Sequence, residues 1–297
     1  MRLSNKDSRT AVLLGATKGI GMATALELGR TGWRAVIVGR DRAAGEALVA
    51  TLGHGARFLA ADLSSMSSIR GLVAELRDIA PRIDLVVHSA DVLRSSRIDT
   101  PEGIEASFAT NFLGRVLFNR LAEPSLAANA TLVHVAAAGF PGRFEVEDIP
   151  PQPRESAGTA HNLGQRANDA YGLELANRSR GLRVFVLHPG MVDTNIRRSQ
   201  EPSSLFLRLL VALLGWLSRP WTVSPENYAR RLVTFLAHPP SDTSQVLFGP
   251  SFRPIVPRAR FRNASFRDAV WRRAHEAVGL PSAGGVDPTS NAIILDT

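Results

Sequence analysis

The sequence predicts an α/β protein built on a doubly wound parallel sheet with helices on both faces, and three observations predict it. Residues 11–14 are a short apolar run that passes through a glycine-rich loop, 15–21, directly into a helical stretch at 22–28. Beyond it, short apolar runs keep alternating with stretches of helical spacing, six alternations in all, which is the pattern of strands buried on both faces and returned by crossover helices. The chain has no internal repeat and no cysteine, so neither a repeat array nor a disulfide frame competes with that reading.

The elements follow in order. Gly15, Gly19 and Gly21 are what a tight turn needs if a phosphate is to lie against bare amides at a helix start, where the dipole favours negative charge. A strand, a glycine loop and a helix in succession outline a dinucleotide site. Residues 35–38 form the second strand, ending in Gly39-Arg40-Asp41-Arg42, and 43–52 the returning helix. The third strand, 56–60, ends in Ala61-Asp62-Leu63; Ser64 or Ser65 then caps a helix running to residue 80, with Ile69, Leu72, Val73 and Leu76 on its apolar face. Residues 83–88 are a fourth strand, 104–121 have helical spacing, 131–135 are a fifth strand, 158–180 a long helix and 183–187 a sixth strand closed by Pro189-Gly190. After Val192 the rhythm changes: 203–217 is a strongly apolar helix candidate, 225–237 a further helix, 246–248 a last strand, and 265–278 an amphipathic helix capped by Ser265. Ligands of such sheets bind at the carboxyl ends of the strands.

Composition sets the outer bounds. A chain of 297 residues can bury one large core. Without cysteine it has no thiolate metal site and no thiol nucleophile, and no histidine–carboxylate group has metal-ligand spacing, so no metal is expected. The formal charge of +8 comes almost wholly from arginine, Lys6 and Lys18 being the only lysines. The arginines are spread along the chain without a nucleic-acid motif, so no nucleic-acid partner is expected. The densest group, Arg253, Arg258, Arg260 and Arg262, is read as solvated surface. Residues 1–9 are polar with no apolar run behind them, which argues against a secretory signal and for a cytoplasmic protein. The longest apolar run, 205–217, is broken by Arg208 and falls short of the roughly 20 residues a membrane span needs.

At this point the pattern resembles the short-chain dehydrogenase/reductase superfamily from residue 11 to about 280. Gly15-x-x-x-Gly19-Ile20-Gly21 is similar to the family's cofactor loop, with Leu14 where threonine is usual, and Asp62-Leu63 resembles the pair that meets the adenine ring. Asn111-Phe112-Leu113-Gly114 resembles the helix segment carrying the proton-relay asparagine, and His188-Pro189-Gly190-Met191-Val192-Asp193-Thr194 the loop that holds the nicotinamide amide. Asn111 to Gly114, Ala167-Asn168 and the helix bearing Trp271 look most like the retinol dehydrogenase and protochlorophyllide reductase type. The resemblance implies a Rossmann-like sheet of about seven strands in one domain over 11–280. A short extension at 1–10, a small apolar helical lid at about 197–222 and a flexible tail at 281–297 complete it. It also implies a cofactor site at Gly15, Thr17, Lys18, Gly19, Ile20, Gly21, Arg40, Asp62, Leu63, Ala90, Gln165, Pro189, Gly190, Val192 and Thr194. Lys18 in the loop and Arg40 past the second strand favour NADP(H), because an arginine there meets a 2′-phosphate where NAD proteins place a carboxylate.

The catalytic positions differ from the family's. Its tyrosine and the lysine four residues later fall at His161 and Gln165 once Ala167-Asn168 sets the register, and its serine falls within Ala136-Ala137-Ala138. The only tyrosines, Tyr171 and Tyr228, have leucines at Leu175 and Leu232, so no other register restores the motif. The family's Asn-Asn-Ala-Gly is altered to His88-Ser89-Ala90-Asp91, and Asp91 places a carboxylate where glycine would let the cofactor approach. The catalytic set expected here is therefore His161, Asn111 and Gln165.

Three readings follow. The first is an enzyme doing non-redox acid/base chemistry (cyclisation, isomerisation or elimination) on a bulky, apolar, natural-product-like molecule, as in secondary metabolism, with His161 as acid or base. The second is a diverged NADPH-dependent carbonyl reductase with His161 as proton donor. The third is an inactive NADP(H)- or ligand-binding protein. The 205–217 segment suggests a large hydrophobic ligand, with peripheral membrane contact as its alternative. Oligomeric state stays open. His161 itself also reads as a surface helix histidine, since Asn162, Gly164 and Gln165 beside it look exposed. His88 is a weak site candidate and His134 a core residue.

Overall fold

The computed structural model of the chain describes residues 9–179, 181–193 and 222–281. Among these residues seven strands form one parallel sheet: β1 (Thr10–Leu14), β2 (Arg34–Gly39), β3 (Arg57–Ala60), β4 (Ile83–His88), β5 (Leu126–Val135), β6 (Arg183–Leu187) and β7 (Leu247–Phe248). Their order is β3-β2-β1-β4-β5-β6-β7. The winding reverses between β1 and β4, and in such sheets the crevice beyond the carboxyl ends of those two strands receives ligands. The helices are α1 (Gly19–Arg30), α2 (Arg42–Leu52), α3 (Met66–Ile79), α4 (Ala106–Phe108), α5 (Gly114–Ala122), α6 (Ala157–Arg178), α7 (Pro225–Ala237), α8 (Ala259–Arg262) and α9 (Ala264–Ala277).

The apolar strands are covered on both sides, as their composition requires. Ala11, Leu13, Ala35 and Ile37 point to one face and pack with Leu28 of α1, Leu48 of α2 and Leu232 of α7. The alternate residues Val12, Leu14, Val36 and Val38 join the opposite layer with Ile69 of α3, Val116 of α5 and Trp271 of α9. Side chains two apart in a strand share a face, so a slip of one residue would exchange the two layers. Both tyrosines belong to this packing. Tyr171 stacks on Trp271 with ring centroids 5.1 Å apart, and Tyr228 on Phe252 at 5.6 Å.

Local chemistry sets the helix starts. Asp41 caps α2 through the Ala44 amide, Ser156 caps α6 through Thr159, and Ser224 caps α7 with Pro225 following it. Ser65 rather than Ser64 caps α3, because Ser64 is drawn to the Asp62 carboxylate. α9 starts one residue earlier than its periodicity suggests, capped by Asn263, whose Oδ1 accepts from the Phe266 amide, and not by Ser265.

Two further elements depart from the sequence expectation. β5 begins at Leu126 rather than 131: Leu126 pairs with Ile83, and a register irregularity between Ile83 and Leu85 carries the chain to Thr131, where regular pairing with β4 resumes. The helix expected over 104–121 is α4, a π-helical turn at Ala109–Leu113, and α5. Apolar spacing carries no signal for that wider turn, which centres on Asn111. The lid segment at 197–222 lies outside the described residues except for Thr222, and the tail at 281–297 except for Pro281; residues 1–8 of the extension lie outside them as well. Among the described residues no helix is long and apolar enough to cross a membrane.

Candidate active site

At the carboxyl end of β1 the chain turns at Gly15, whose φ of +82° suits glycine. A Cβ there would lie 2.5 Å from the backbone of Ala90. The contact is tight because the Ser89 and Ala90 amides, just past β4, both donate to Leu14 O at 2.9 and 3.0 Å. Gly21 is likewise pressed against Ala16 and Gly15 O, 2.8 Å from where its Cβ would stand. These packings bring the first turn of α1 to the rim of the crevice. Lys18 caps that helix in extended conformation without a side-chain hydrogen bond, and no acidic residue occupies the first turn. The leading amides are therefore left for an external acceptor.

The crevice encloses about 580 Å³. Gly15, Thr17, Lys18, Gly19 and Ile20 line one stretch of it, and Arg40, Asp62 and Leu63 another. Pro189, Gly190 and Val192 form its far wall with His188, whose Nδ1 accepts from the Gly190 amide at 2.9 Å. Ala90, His161 and Gln165 line it as well. Gly21 supports the loop from behind, Asn111 is fully buried behind His161, and neither appears on the cleft surface. Thr194 lies outside the described residues. The Lys18 ammonium, the exposed Arg40 guanidinium and the uncapped amides of α1 form a donor set that fits a phosphorylated dinucleotide.

His161 is not a surface histidine. Its side chain is 14 % exposed, and Gly164 and Gln165 beside it are buried because α6 lies against β6, α4, the π-helical turn and α9. Nδ1 sits 3.0 Å from Val92 O and from Asn111 Nδ2, and 3.5 Å from Asp91 Oδ1. Asn111 is itself fixed, accepting the Val92 amide at Oδ1 and donating to Val92 O from Nδ2, both at 2.8 Å. Gln165 accepts the Ala137 amide at Oε1, 2.9 Å, so its Nε2 is the end that donates to Asp91 Oδ1 at 3.2 Å and stands 3.4 Å from His161 Nε2. At Nδ1 the acceptors Val92 O and Asp91 Oδ1 outnumber the one donor, Asn111 Nδ2, and Gln165 Nε2 donates toward Nε2, so the proton is assigned to Nδ1 and the lone pair to Nε2 beside Gln165. Ala136 and Ala137 line the cleft without a hydroxyl, and their amides are taken by Leu187 O and Gln165.

Behind this wall runs a buried polar chain. His88 Nε2 donates to Asn119 Oδ1 at 2.7 Å, Asn119 Nδ2 to His134 Nε2 at 3.0 Å, His134 Nδ1 to Asn168 Oδ1 at 3.2 Å, and Asn168 Nδ2 to the carbonyl of Asn111 at 2.9 Å. Each donor meets an acceptor in one direction, which locks both imidazoles neutral; burial pushes His88 down to about 3 and His134 well below the usual imidazole range. His88 is thus a core residue rather than a site candidate, and the chain ends by holding the π-helical turn that presents Asn111 to His161.

α6 pins the loop after β5 a second time. Asp169, one turn beyond Gln165, accepts the Gly139 amide at Oδ2, 2.8 Å, while Oδ1 has no partner among the described residues. Burial raises its pKa from 3.8 to about 7. Because the folded form binds this proton more tightly than the unfolded chain, Asp169 supports the fold at acid pH and costs stability as pH rises through 4 to 7. A difference of that size corresponds to at most about 4 kcal/mol. Urea unfolding of wild type and Asp169→Asn from pH 4 to 8 should show two curves that converge at the acid end and separate at the alkaline end in favour of the variant; parallel curves would remove Asp169 from the pH dependence.

Sequence reading passed over Arg115 and read only part of the role of Asp91. Asp91 was legible only as a departure from glycine, and it is the carboxylate that joins Gln165 to His161. Arg115 stands in the apolar run of 112–118, and a lone charge in such a run was a signal that could have singled it out.

The short chain dehydrogenase family profile matches residues 9–140. A candidate daunorubicin C-13 ketoreductase of Streptomyces sp. (strain C5) is 34 % identical over 203 residues, covering 67 % of this chain and 71 % of that one. Retinol dehydrogenase 13 of Homo sapiens is 30 % identical over 292 residues, covering 92 % of this chain and 85 % of that one. Among solved structures, a blue fluorescent protein from a metagenomic library in complex with NADPH superposes with a TM-score of 0.61 at 21 % identity, covering 84 % of this chain and 99 % of that one.

Proposed function

Because the chain belongs to the short-chain dehydrogenase/reductase family, of the retinol dehydrogenase type, we propose that it is an NADP(H)-dependent oxidoreductase interconverting a carbonyl and an alcohol on an apolar small molecule, with His161 as the proton-transfer group. The observation that carries the reading is that His161 lines the same cleft as the glycine loop, Lys18 and Arg40, with Nδ1 tied down and the Nε2 lone pair facing, among the described residues, only the Gln165 amide at 3.4 Å. When bound, NADPH supplies a hydride to the substrate carbon. His161, as imidazolium, gives its Nε2 proton to the carbonyl oxygen, and in the oxidative direction neutral Nε2 takes the alcohol proton. Asp91, 3.5 Å from Nδ1, compensates the charge that comes and goes on the ring. Asn111 and Val92 O hold the ring in place and are positioning groups, since neither meets substrate. Gln165 would hold the ribose hydroxyls in place of a lysine. Val92, Leu93, Val135 and Met191 supply the apolar lining expected for the substrate. The substrates named for the relatives make retinal and daunorubicin the first carbonyl probes.

The preference for NADP(H) rests on Lys18 and Arg40. Calorimetric titration should show NADPH binding more tightly than NADH in wild type, and Arg40→Ala should reduce that preference by about 10-fold. Equal affinities in wild type, or an unchanged preference in the variant, would count against it.

A second reading, acid/base chemistry without net redox change, has one observation in its favour: an acidic side chain, Asp91, and no lysine stand beside His161. Turnover of a substrate with no change in NADPH absorbance would select it.

A further inference from the structure

Arg115 of α5 is 2 % exposed, and its surroundings do not satisfy it. Nη2 donates to Ala90 O at 2.8 Å and to Val135 O at 3.1 Å, while Nε and Nη1 have no partner among the described residues. Ala90 and Val135 both line the cleft, so the guanidinium lies directly behind its wall, against the peptide that joins Ala90 to Asp91. The titratable groups around it are few. His88 and His134 are neutral, and the positive charge of Arg115 contributes to keeping them so. Asp91 is the negative charge that opposes the effect of burial on Arg115, whose pKa is lowered to about 10.

Desolvating a guanidinium this far without a contact ion pair is a poor way to stabilise a fold, and two unpartnered N–H groups add to the cost. The residue across the peptide explains what the charge does. Asp91 turns a carboxylate into a cleft whose other features, free amides, Lys18 and Arg40, suit a polyanion, and in a partly buried site like charges repel more strongly than in water. A cation on the far side of the same wall cancels that field without occupying the cleft.

We propose that Arg115 is a positioning and specificity-determining residue for the dinucleotide: its buried charge offsets Asp91 from behind the wall, so that a polyanionic cofactor binds past an acidic side chain. This rests on the NADP(H) reading above. It also accounts for the tolerance of Gln165 in place of a lysine, because the positive charge at this end of the site stands behind the wall instead of on α6.

The test is a double-mutant cycle read by NADPH titration, with circular dichroism of each variant. Arg115→Met should weaken NADPH binding by about 10-fold, Asp91→Asn alone should tighten it because Arg115 is then unopposed, and Asp91→Asn added to Arg115→Met should recover most of the loss. Arg115→Lys, which keeps the charge, should bind near the wild-type level. Equal weakening in Arg115→Met and in the double variant overturns the proposal, since the arginine then serves only packing. Should Arg115→Met not fold, Asp91→Asn decides alone: unchanged or weaker NADPH binding overturns the offset. Absence of NADPH binding by wild type overturns the cofactor reading and this one together, whereas wild-type binding without Arg115–Asp91 coupling overturns this one only.

Discussion

Replacing His161 with alanine is expected to lower turnover of a carbonyl substrate by about 10²–10⁴-fold while leaving NADPH affinity near that of wild type. The size of the effect follows from what else the cleft offers. Ala136 and Ala137 have no hydroxyl, their amides are engaged by Leu187 O and Gln165, and both tyrosines are stacked in the core. With His161 gone, the side-chain donor left beside the reacting oxygen is the Gln165 amide, which is too weak an acid to deliver a proton. Fold should survive, because His161 hangs on the Val92 carbonyl and Asn111 without filling a core position. Steady-state kinetics with retinal and daunorubicin as probes, alongside NADPH titration, separates the two quantities. Wild-type turnover in His161→Ala would take the histidine out of the mechanism.

Gly15→Val is expected to abolish nucleotide binding and to destabilise the protein by about 3 kcal/mol or more. The valine meets two obstacles: a backbone φ of +82°, which a β-branched residue adopts only with strain, and the Ala90 backbone 2.5 Å from its Cβ. Backbone cannot swing aside as a side chain can, so the ends of β1 and β4 must part, and the crevice opens at the point where the amides converge. Gly71 of α3 provides the contrast. Nothing lies within 4 Å of a Cβ built there, and Gly71→Ala in an exposed helix should stabilise by up to about 1 kcal/mol without touching NADPH affinity. Urea unfolding and titration of both variants check the pair; retained NADPH binding in Gly15→Val would place the cofactor somewhere other than this loop.

The features that sequence reading recovered are those with strong local causes. A strand buried on both faces must be apolar throughout, a helix start needs a cap, and a chain that turns at φ above zero against a neighbour's backbone takes glycine, so the glycine loop, the strands and the crevice could all be anticipated. The features it missed depend on partners far along the chain. Gln165 reads as a polar surface residue, yet it is 1 % exposed, because α6 is wrapped by sheet and helices on most sides and its many small residues give it little amphipathic contrast. The π-helical turn at Asn111 is held from outside by Asn168, the last member of a buried chain that starts at His88 31 residues from its first partner. Asp91 and Arg115 take their meaning from each other across one wall of the cleft, and neither points to the other in the linear sequence.

The central claim, hydride transfer to a carbonyl in this cleft with His161 moving the proton, is tested most directly by isotope transfer. The wild-type protein is incubated with retinal or daunorubicin and NADPH deuterated at the transferring carbon of the nicotinamide, and the products are analysed by mass spectrometry. The account predicts an alcohol carrying one deuterium on the former carbonyl carbon, formed in step with NADP⁺ and lost in His161→Ala. A transformed probe that contains no deuterium, with the NADPH still reduced, would contradict it.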